Sequence, residues 1–383
     1  MGESGAMSPE PVARPEIVVD LAAIRHNVRT LRELTGVPSM TVVKSDGYGH
    51  GLAESARAAR EAGSEWVGVA TIAEALALRA AGDRGRLLCW LTMPEDDWAA
   101  AIEADVDVTA YSVAELDAVA ATGRIARVQL KVDTGLSRGG AALDDWREVV
   151  GRARRGEQDG SWRITGVWSH FAASDEPGHP ANDAQEQAFR RALAVAEDAG
   201  LRPEVRHLAN SAAGILRPSS RFDLVRFGLA SYGLDPAPGE TPDLGLVPAM
   251  TVHAPLVSAK HIAAGAGVSY GHTWIADTGT TVGLVPVGYG DGIPRHASNA
   301  GHVLVDGKQR VVRGRVCMDQ FVVDLDGDAP EPGSDVVIFG PGTHGEPTAQ
   351  DWAEAAGTIS YEIVTRIGGR LTRRHMNRRY PDQ

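Results

Sequence analysis

Of the 383 residues in this chain, Lys44 offers the most chemistry. It follows the apolar run Met40–Val43. If that run is a barrel strand, the amine points into the barrel mouth. Desolvation there lowers a lysine's pKa and lets it form a Schiff base with a carbonyl compound. The spacing alone equally allows a surface lysine at a strand end. The next residues, Gly47-Tyr48-Gly49-His50-Gly51, form a glycine-rich loop entering a helix, which can bring backbone N–H groups close to an anion. An ordinary strand-to-helix turn reads the same way.

Other polar residues also fall at strand ends: Lys131 to Arg138, Ser169-His170, Ala209-Asn210-Ser211 and Arg226-Phe227-Gly228. In a parallel barrel these ends share one rim, where active groups gather. Tyr270, within Gly267-Val268-Ser269-Tyr270-Gly271, is either a general acid or base or a packed aromatic. His170 and His207 have no cysteine or second histidine at ligand spacing, so no metal is expected. Gly288-Tyr289-Gly290-Asp291-Gly292 opens no helix and is not read as a dinucleotide fingerprint. Asp324-Leu325-Asp326-Gly327-Asp328 lacks the length and closing glutamate of a calcium loop and reads as a hairpin turn.

The elements that must position these groups alternate. Eight strand-like runs are expected at Met40–Val43, Trp66–Ala70, Arg86–Leu91, Val106–Ala110, Arg127–Val132, Ile164–His170, Val205–Leu208 and Leu224–Phe227. Helical segments separate them: Leu52–Ala62, Ile72–Ala81, Asp96–Glu103, Val113–Ala121, Asp144–Arg155 and Asn182–Ala199. Thr71 to Glu74 and Ser112 to Glu115 are capping-box patterns, and Gly63, Gly82, Gly123 and Gly200 close helices. Repeated β-α without hairpin signals predicts an α/β fold, a (β/α)8 TIM-type barrel over residues 15–245. Pro236 to Pro242 breaks the pattern.

Residues 246–383 predict a mainly antiparallel β domain, with strands at Met250–Ala264, Thr280–Val287, His302–Val305, Val311–Val316, Phe321–Leu325 and Val336–Phe339. A helix, Thr348–Ala356, precedes the segment Ile359–Ile367.

Net charge is −12, which argues against nucleic-acid and anionic-membrane partners. No apolar run reaches the ~20 residues of a membrane span. Met1–Arg14 lacks an apolar core and reads as a loose tail rather than a signal peptide. Cys89 and Cys317 both lie in apolar strand-like runs and read as free thiols in a reducing, cytoplasmic compartment.

Taken together, the motifs resemble the alanine racemase family of fold-type III pyridoxal-phosphate enzymes. They are Val43-Lys44-Ser45-Asp46-Gly47-Tyr48-Gly49-His50-Gly51, Lys131 to Arg138, Ser169-His170-Phe171-Ala172, His207 to Ser211 and Arg226-Phe227-Gly228. Val268 to Gly271, Gly288 to Gly292, Cys317-Met318-Asp319-Gln320 and Tyr361-Glu362 follow. The matches run in order from residue 44 to 362.

The resemblance implies a pyridoxal 5'-phosphate racemase interconverting L- and D-alanine for cell-wall precursor supply, acting as a homodimer with shared sites. Lys44 carries the cofactor and is the base on one face of the substrate carbon. Tyr270, from the partner chain, is the base on the other. Arg226 faces the pyridine nitrogen, and His170 tunes Tyr270 through Arg226. Tyr48, Asn210, Ser211, Gly228, Leu229 and Tyr361 line the cofactor, mostly at its phosphate. Arg138 holds the cofactor's phenolic oxygen, with Lys131 behind it, a lysine that can carry a carbamate in this family. Arg138, Met318 and Asp319 meet the substrate.

Ser45 and Gly47 stand where alanine is commoner in the family, and Ser169 where threonine is. These departures leave a serine or broader-specificity racemase as an alternative. A decarboxylase of the same architecture lacks an acidic group at the Arg226 position. A non-catalytic cofactor-binding barrel lacks the second domain.

Overall fold

The computed structural model describes residues 14–378. The tail read over Met1–Arg14 therefore lies outside the described residues except for Arg14. The described chain divides into two compact units, residues 21–247 and residues 14–20 with 248–378. Strand β1 (Glu16–Asp20) lies at the start of the expected barrel segment, but it belongs to the second unit.

The first unit is an eight-stranded parallel sheet: β2 (Ser39–Val42), β3 (Trp66–Val69), β4 (Arg86–Cys89), β5 (Asp107–Ala110), β6 (Ala126–Lys131), β7 (Trp162–Trp168), β8 (Val205–His207) and β9 (Val225–Phe227). Each pairs with its sequence neighbour, and β9 returns to pair with β2. Asp223 N to Arg206 O and Arg226 N to Ala209 O, both 3.0 Å, link β8 to β9 and nearly close the barrel.

The eight expected strands are the eight observed. Helices form at Leu52–Glu61, Ile72–Ala80, Trp98–Glu103, Val113–Ala121, Trp146–Gln158 and Pro180–Asp198. The sequence reading did not pick out the helices Leu21–Thr35 and Ser211–Leu216. The Thr71–Glu74 capping box is formed. Ser112 caps through Glu115 N, while the Glu115 carboxylate accepts from Tyr111 N. The closing glycines take positive φ: Gly63 91°, Gly82 98°, Gly123 65° and Gly200 87°.

Alternation along the strands decides which side chains reach the barrel interior. On β6, Val128 and Leu130 join the apolar layer shared with the helices. Gln129 and Lys131 therefore point inward. On β9, Val225 and Phe227 join that layer, so Arg226 points inward. Met40 is in register with Arg226. The same parity carries Met40 and Val42 inward and leads to Lys44.

At the opposite end of the barrel, buried Asp107 accepts from Arg86 Nη2 (2.8 Å), Arg127 Nε (2.7 Å) and Thr165 Oγ1 (2.7 Å). This network closes the barrel floor. Stabilising residues gather at that face, and reactive ones at the other.

The second unit contains β10 (Met250–Pro255), β11 (Ser258–Ile262), β12 (Gly267–Val268), β13 (Trp274–Ile275), β14 (Thr280–Val285), β15 (His302–Val305), β16 (Lys308–Arg313), β17 (Phe321–Asp324), β18 (Asp335–Phe339) and β19 (Thr372–Met376). Eight of these strands and β1 form one nine-stranded sheet, ordered β11-β14-β17-β16-β15-β18-β10-β1-β19. Only the β1–β19 pair is parallel.

The single run expected over Met250–Ala264 is two strands. Leu256 N bonds Ser334 O and Val257 N bonds Leu284 O, so the chain changes partners there. The segment around Cys317 is not a strand; it lies in the loop between β16 and β17. Helices form at Ala349–Ala356 and, within Ile359–Ile367, at Ser360–Arg366. No helix among the described residues is long and apolar enough to cross a membrane.

Candidate active site

Lys44 begins a left-handed turn. Ser45, Asp46, Gly47 and Tyr48 have φ of 54°, 54°, 63° and 54°. Non-glycine residues in this region cost roughly 1–2 kcal/mol each, so the turn must be held from outside. Gly47 N bonds Val43 O, and the Asp46 carboxylate accepts from Leu52 N at 2.8 Å. The Glu74 carboxylate accepts from Ser45 N at 2.6 Å. Gly47 suits its position: it needs a positive φ, and a Cβ there would lie 2.8 Å from Ser55 Oγ. Lys44 is half-buried, with Nζ 6.0 Å from the Tyr48 ring centre. Burial first, then Arg138, pushes its amine below the usual lysine range.

Arg226 is 4% exposed and bonded on several sides. Nη1 donates to His207 Nδ1 (3.0 Å); Nη2 donates to Ser169 O (2.8 Å), His170 Nδ1 (3.0 Å) and Leu208 O (3.0 Å). Guanidinium only donates, so both imidazoles accept at Nδ1 and carry their protons on Nε2. His207 Nε2 then donates to Gln129 Oε1 at 2.7 Å. Burial, then Arg226, drives both histidines well below the ordinary range, so they are neutral. Burial lowers Arg226 itself to about 9, which leaves it charged at pH 7.

Lys131 is pushed down to about 8 by burial, then by Arg226 and Arg138. Its Nζ lies over the rings of Trp168 (4.7 Å) and Tyr111 (5.8 Å). The loop that follows turns on Asp133, whose Oδ1 accepts from the N–H groups of Gly135, Leu136 and Ser137. This turn carries exposed Arg138. His170 feels Arg226, Arg138, Lys131 and Lys44 together. Four cations are thus concentrated in a chain of net charge −12.

Ser211 Oγ accepts from Gly228 N at 3.0 Å, which leaves its own proton to donate. A Cβ at position 228 would lie 2.4 Å from Tyr48 Oη, so glycine lets the hydroxyl approach the backbone. Tyr48 is packed against Tyr232 (ring centres 5.1 Å apart), whose other neighbour is His50 (4.4 Å). Asn210 caps the helix Ser211–Leu216 through Ala213 N and donates to Ser174 Oγ at 2.8 Å. Leu229 is buried at the start of the turn Leu229–Tyr232.

Tyr270, Met318, Asp319 and Tyr361 belong to the second unit. The first three line one open depression with Tyr289 and Cys317. Tyr361 sits half-buried on the helix Ser360–Arg366. The Gly288–Gly292 segment holds the depression's floor: Tyr289 N bonds Cys317 O and Gly290 N bonds Met318 O. A Cβ on Gly288 would lie 2.3 Å from Cys317 O, which explains the glycine. Asp319 is paired with Arg370 (3.3 Å), itself clamped on buried Asp291 (2.7 Å).

Two family models match, "Alanine racemase, N-terminal domain" over residues 19–236 and "Alanine racemase, C-terminal domain" over residues 249–375. The chain is 55% identical over 380 residues to an alanine racemase of Streptomyces coelicolor, covering 96% of this chain and 97% of that one. It belongs to the alanine racemase family. An alanine racemase of Thermobifida fusca is 52% identical over 364 residues, 94% of this chain and 97% of that protein. The crystal structure of the alanine racemase from D-cycloserine-producing Streptomyces lavendulae matches with a TM-score of 0.94 and 53% identity, covering 97% of this chain and 98% of that one.

The strand ends of the barrel carry Lys44, Arg138, His170, Asn210, Ser211, Arg226 and Gly228, where the strand-end reasoning puts them; Tyr48 and Leu229, which the family resemblance added, lie against and next to Gly228. Sequence reasoning missed Gln129, His207's role beside Arg226, and Glu74's bond to Ser45 N. One signal was available: Gln129 and Lys131 flank Leu130 on β6 and are both buried, and polar residues buried in a strand are the informative ones.

Proposed function

We propose that the chain is a pyridoxal-phosphate-dependent racemase that interconverts L- and D-alanine, with Lys44 and Tyr270 as its two bases. The observation that carries this reading is one rim holding both a half-buried lysine of lowered proton affinity and a buried arginine braced by two neutral histidines. The cation cluster and the Gly228–Ser211–Tyr48 cradle fit an anionic cofactor.

Lys44 Nζ would hold the cofactor. Ser211 Oγ–H, Tyr48 Oη, the backbone around Gly228 and Leu229, and Tyr361 would bind its phosphate, with Asn210 fixing the Ser211 helix. Arg138 would bind the phenolic oxygen and the substrate carboxylate, with Met318 and Asp319 of a second copy on the substrate side. When bound, the cofactor takes up the electron pair left as the substrate's Cα–H bond breaks. Arg226 would face the cofactor's pyridine nitrogen; it keeps its own protons and its charge, so it would offer that nitrogen no proton. That restrains side reactions.

Inversion needs one group to remove the proton on one face and another to return it on the opposite face. Lys44 Nζ and Tyr270 Oη fill these roles. Tyr270 is 73% exposed, and Met318 (55%) and Tyr289 (42%) beside it are exposed too. This supports a homodimer in which a second copy supplies Tyr270. Both cysteines are free, which supports a reducing, cytoplasmic setting.

The test is loss of optical rotation from L-alanine by the purified protein, with Lys44→Ala as the control. Lys44→Ala should remove both racemisation and the cofactor's visible band. A reducible lysine adduct at another position would sink the assignment.

A further inference from the structure

Glu74 lies on the helix Ile72–Ala80, yet its carboxylate works on two backbone segments at once. Oε2 accepts from Ala70 N (2.9 Å) and Thr71 N (3.1 Å) at the end of β3; Oε1 accepts from Ser45 N (2.6 Å). The Thr71–Glu74 box would form without the last bond. That bond ties the residue after Lys44 to the neighbouring strand's exit, at the first strained position of the left-handed turn.

We propose that Glu74 is a positioning residue for Lys44, holding the turn that aims its amine and setting a carboxylate against the cations of the site. This rests on the reading of Lys44 as the cofactor lysine.

The groups facing Lys44 are Arg138 from the loop after β6, His170 after β7, Glu74, and Tyr48 on its own turn. Burial and Arg138 disfavour the charged amine, and Glu74 opposes them. Glu74 thus offsets the cation cluster at the atom that must take and return a proton. A base is most effective when its proton affinity is matched to the working pH, and a displacement of about 1 Å in a reacting group can cost about a hundredfold in rate.

The chain has four lysines: Lys44, Lys131, Lys260 and Lys308. Competitive acylation of the full-length protein freed of cofactor, read by peptide mass spectrometry across pH, therefore reports Lys44 against internal standards. Glu74→Gln keeps an amide oxygen for Ser45 N but removes the charge. Its Lys44 midpoint should fall by about one pH unit relative to Lys260 and Lys308. Glu74→Asp should hold the midpoint near the parent's. In the holoenzyme, Glu74→Ala should lower kcat for alanine at least about tenfold with KM moved less than about twofold.

An unmoved Lys44 midpoint in Glu74→Gln, or full kcat in a folded Glu74→Ala, overturns the proposal. If Glu74→Ala does not fold, the acylation midpoint of Glu74→Gln decides alone. A parent protein with no lysine adduct at position 44 and no racemisation overturns the underlying reading and this proposal with it. A normal parent with an unmoved midpoint removes only the role of Glu74.

Discussion

Alanine at position 228 tests the proposed phosphate cradle. The new Cβ would sit 2.4 Å from Tyr48 Oη and 3.0 Å from the carbon that bears it. Non-bonded heavy atoms settle at ~3.5 Å, so the hydroxyl must retreat by about 1 Å. Tyr48 is 7% exposed and packed against Tyr232, so it has little room to do so. Overpacking of this kind costs ~1–3 kcal/mol, equivalent to about 5- to 150-fold in affinity.

The loss should appear as a raised Kd for pyridoxal phosphate, followed by absorbance titration of cofactor-free protein. kcat at saturating cofactor should change far less. Tyr48→Phe alone should also weaken binding, through the lost hydroxyl. In that background the nearest ring atom is already at 3.0 Å, so Gly228→Ala should cost less than in the parent. Strict additivity of the two substitutions, or an unchanged Kd in Gly228→Ala, would refute the cradle.

Further expectations concern both units. The two enantiomers have equal free energy, so kcat/KM must be the same in both directions for any variant; Tyr270→Phe should instead raise the α-deuterium isotope effect from one enantiomer only, and equal effects from both would mean that Tyr270 merely packs. Asp107→Ala should lower stability by about 3 kcal/mol, because Arg86 and Arg127 keep only their exposed partners, and should lower Tm by about 6–12 °C with kcat and KM within about twofold. A Tm change under about 2 °C would show that the floor network contributes little.

Lys131 falls from 10.5 in the unfolded chain to about 8 in the fold. Between these values the unfolded state binds more protons, so this group's cost to stability is full below pH 8 and fades as pH rises to about 10.5. Lys131→Met should therefore be more stable than the parent at pH 7 by ~1–3 kcal/mol and lose that advantage near pH 10.5, checked by urea unfolding across pH. A pH-independent difference would show that the buried amine is not the source.

Much of the molecule was legible in the chain. The eight barrel strands are the eight β-branched runs, because a strand covered on both faces reads as a continuous apolar stretch between helical periods. The strand ends at Lys44, Lys131, Ser169, Asn210 and Arg226 share a rim because every strand is parallel. Elements that depend on distant partners were less legible. β1 lies beside a barrel helix in sequence but pairs with β10 and β19, more than 200 residues away in the chain. The break at Leu256 and Val257 comes from a change of neighbour, not from a turn residue. The apolar stretch around Cys317 looks like a strand yet is a loop pinned by the Gly288–Gly292 segment.

The sequence by itself determined which groups could react and the order in which the chain presents them. These follow from residue type and hydrophobic period, both local properties. Only the tertiary structure decided their state. Lys44 is lowered by burial and Arg138, the two histidines are neutral because they are buried and lie against the charge of Arg226, and Glu74 meets Ser45 across a gap of 29 residues. Proton affinity depends on desolvation and on charges near in space, and neither is written in the spacing of residues along the chain.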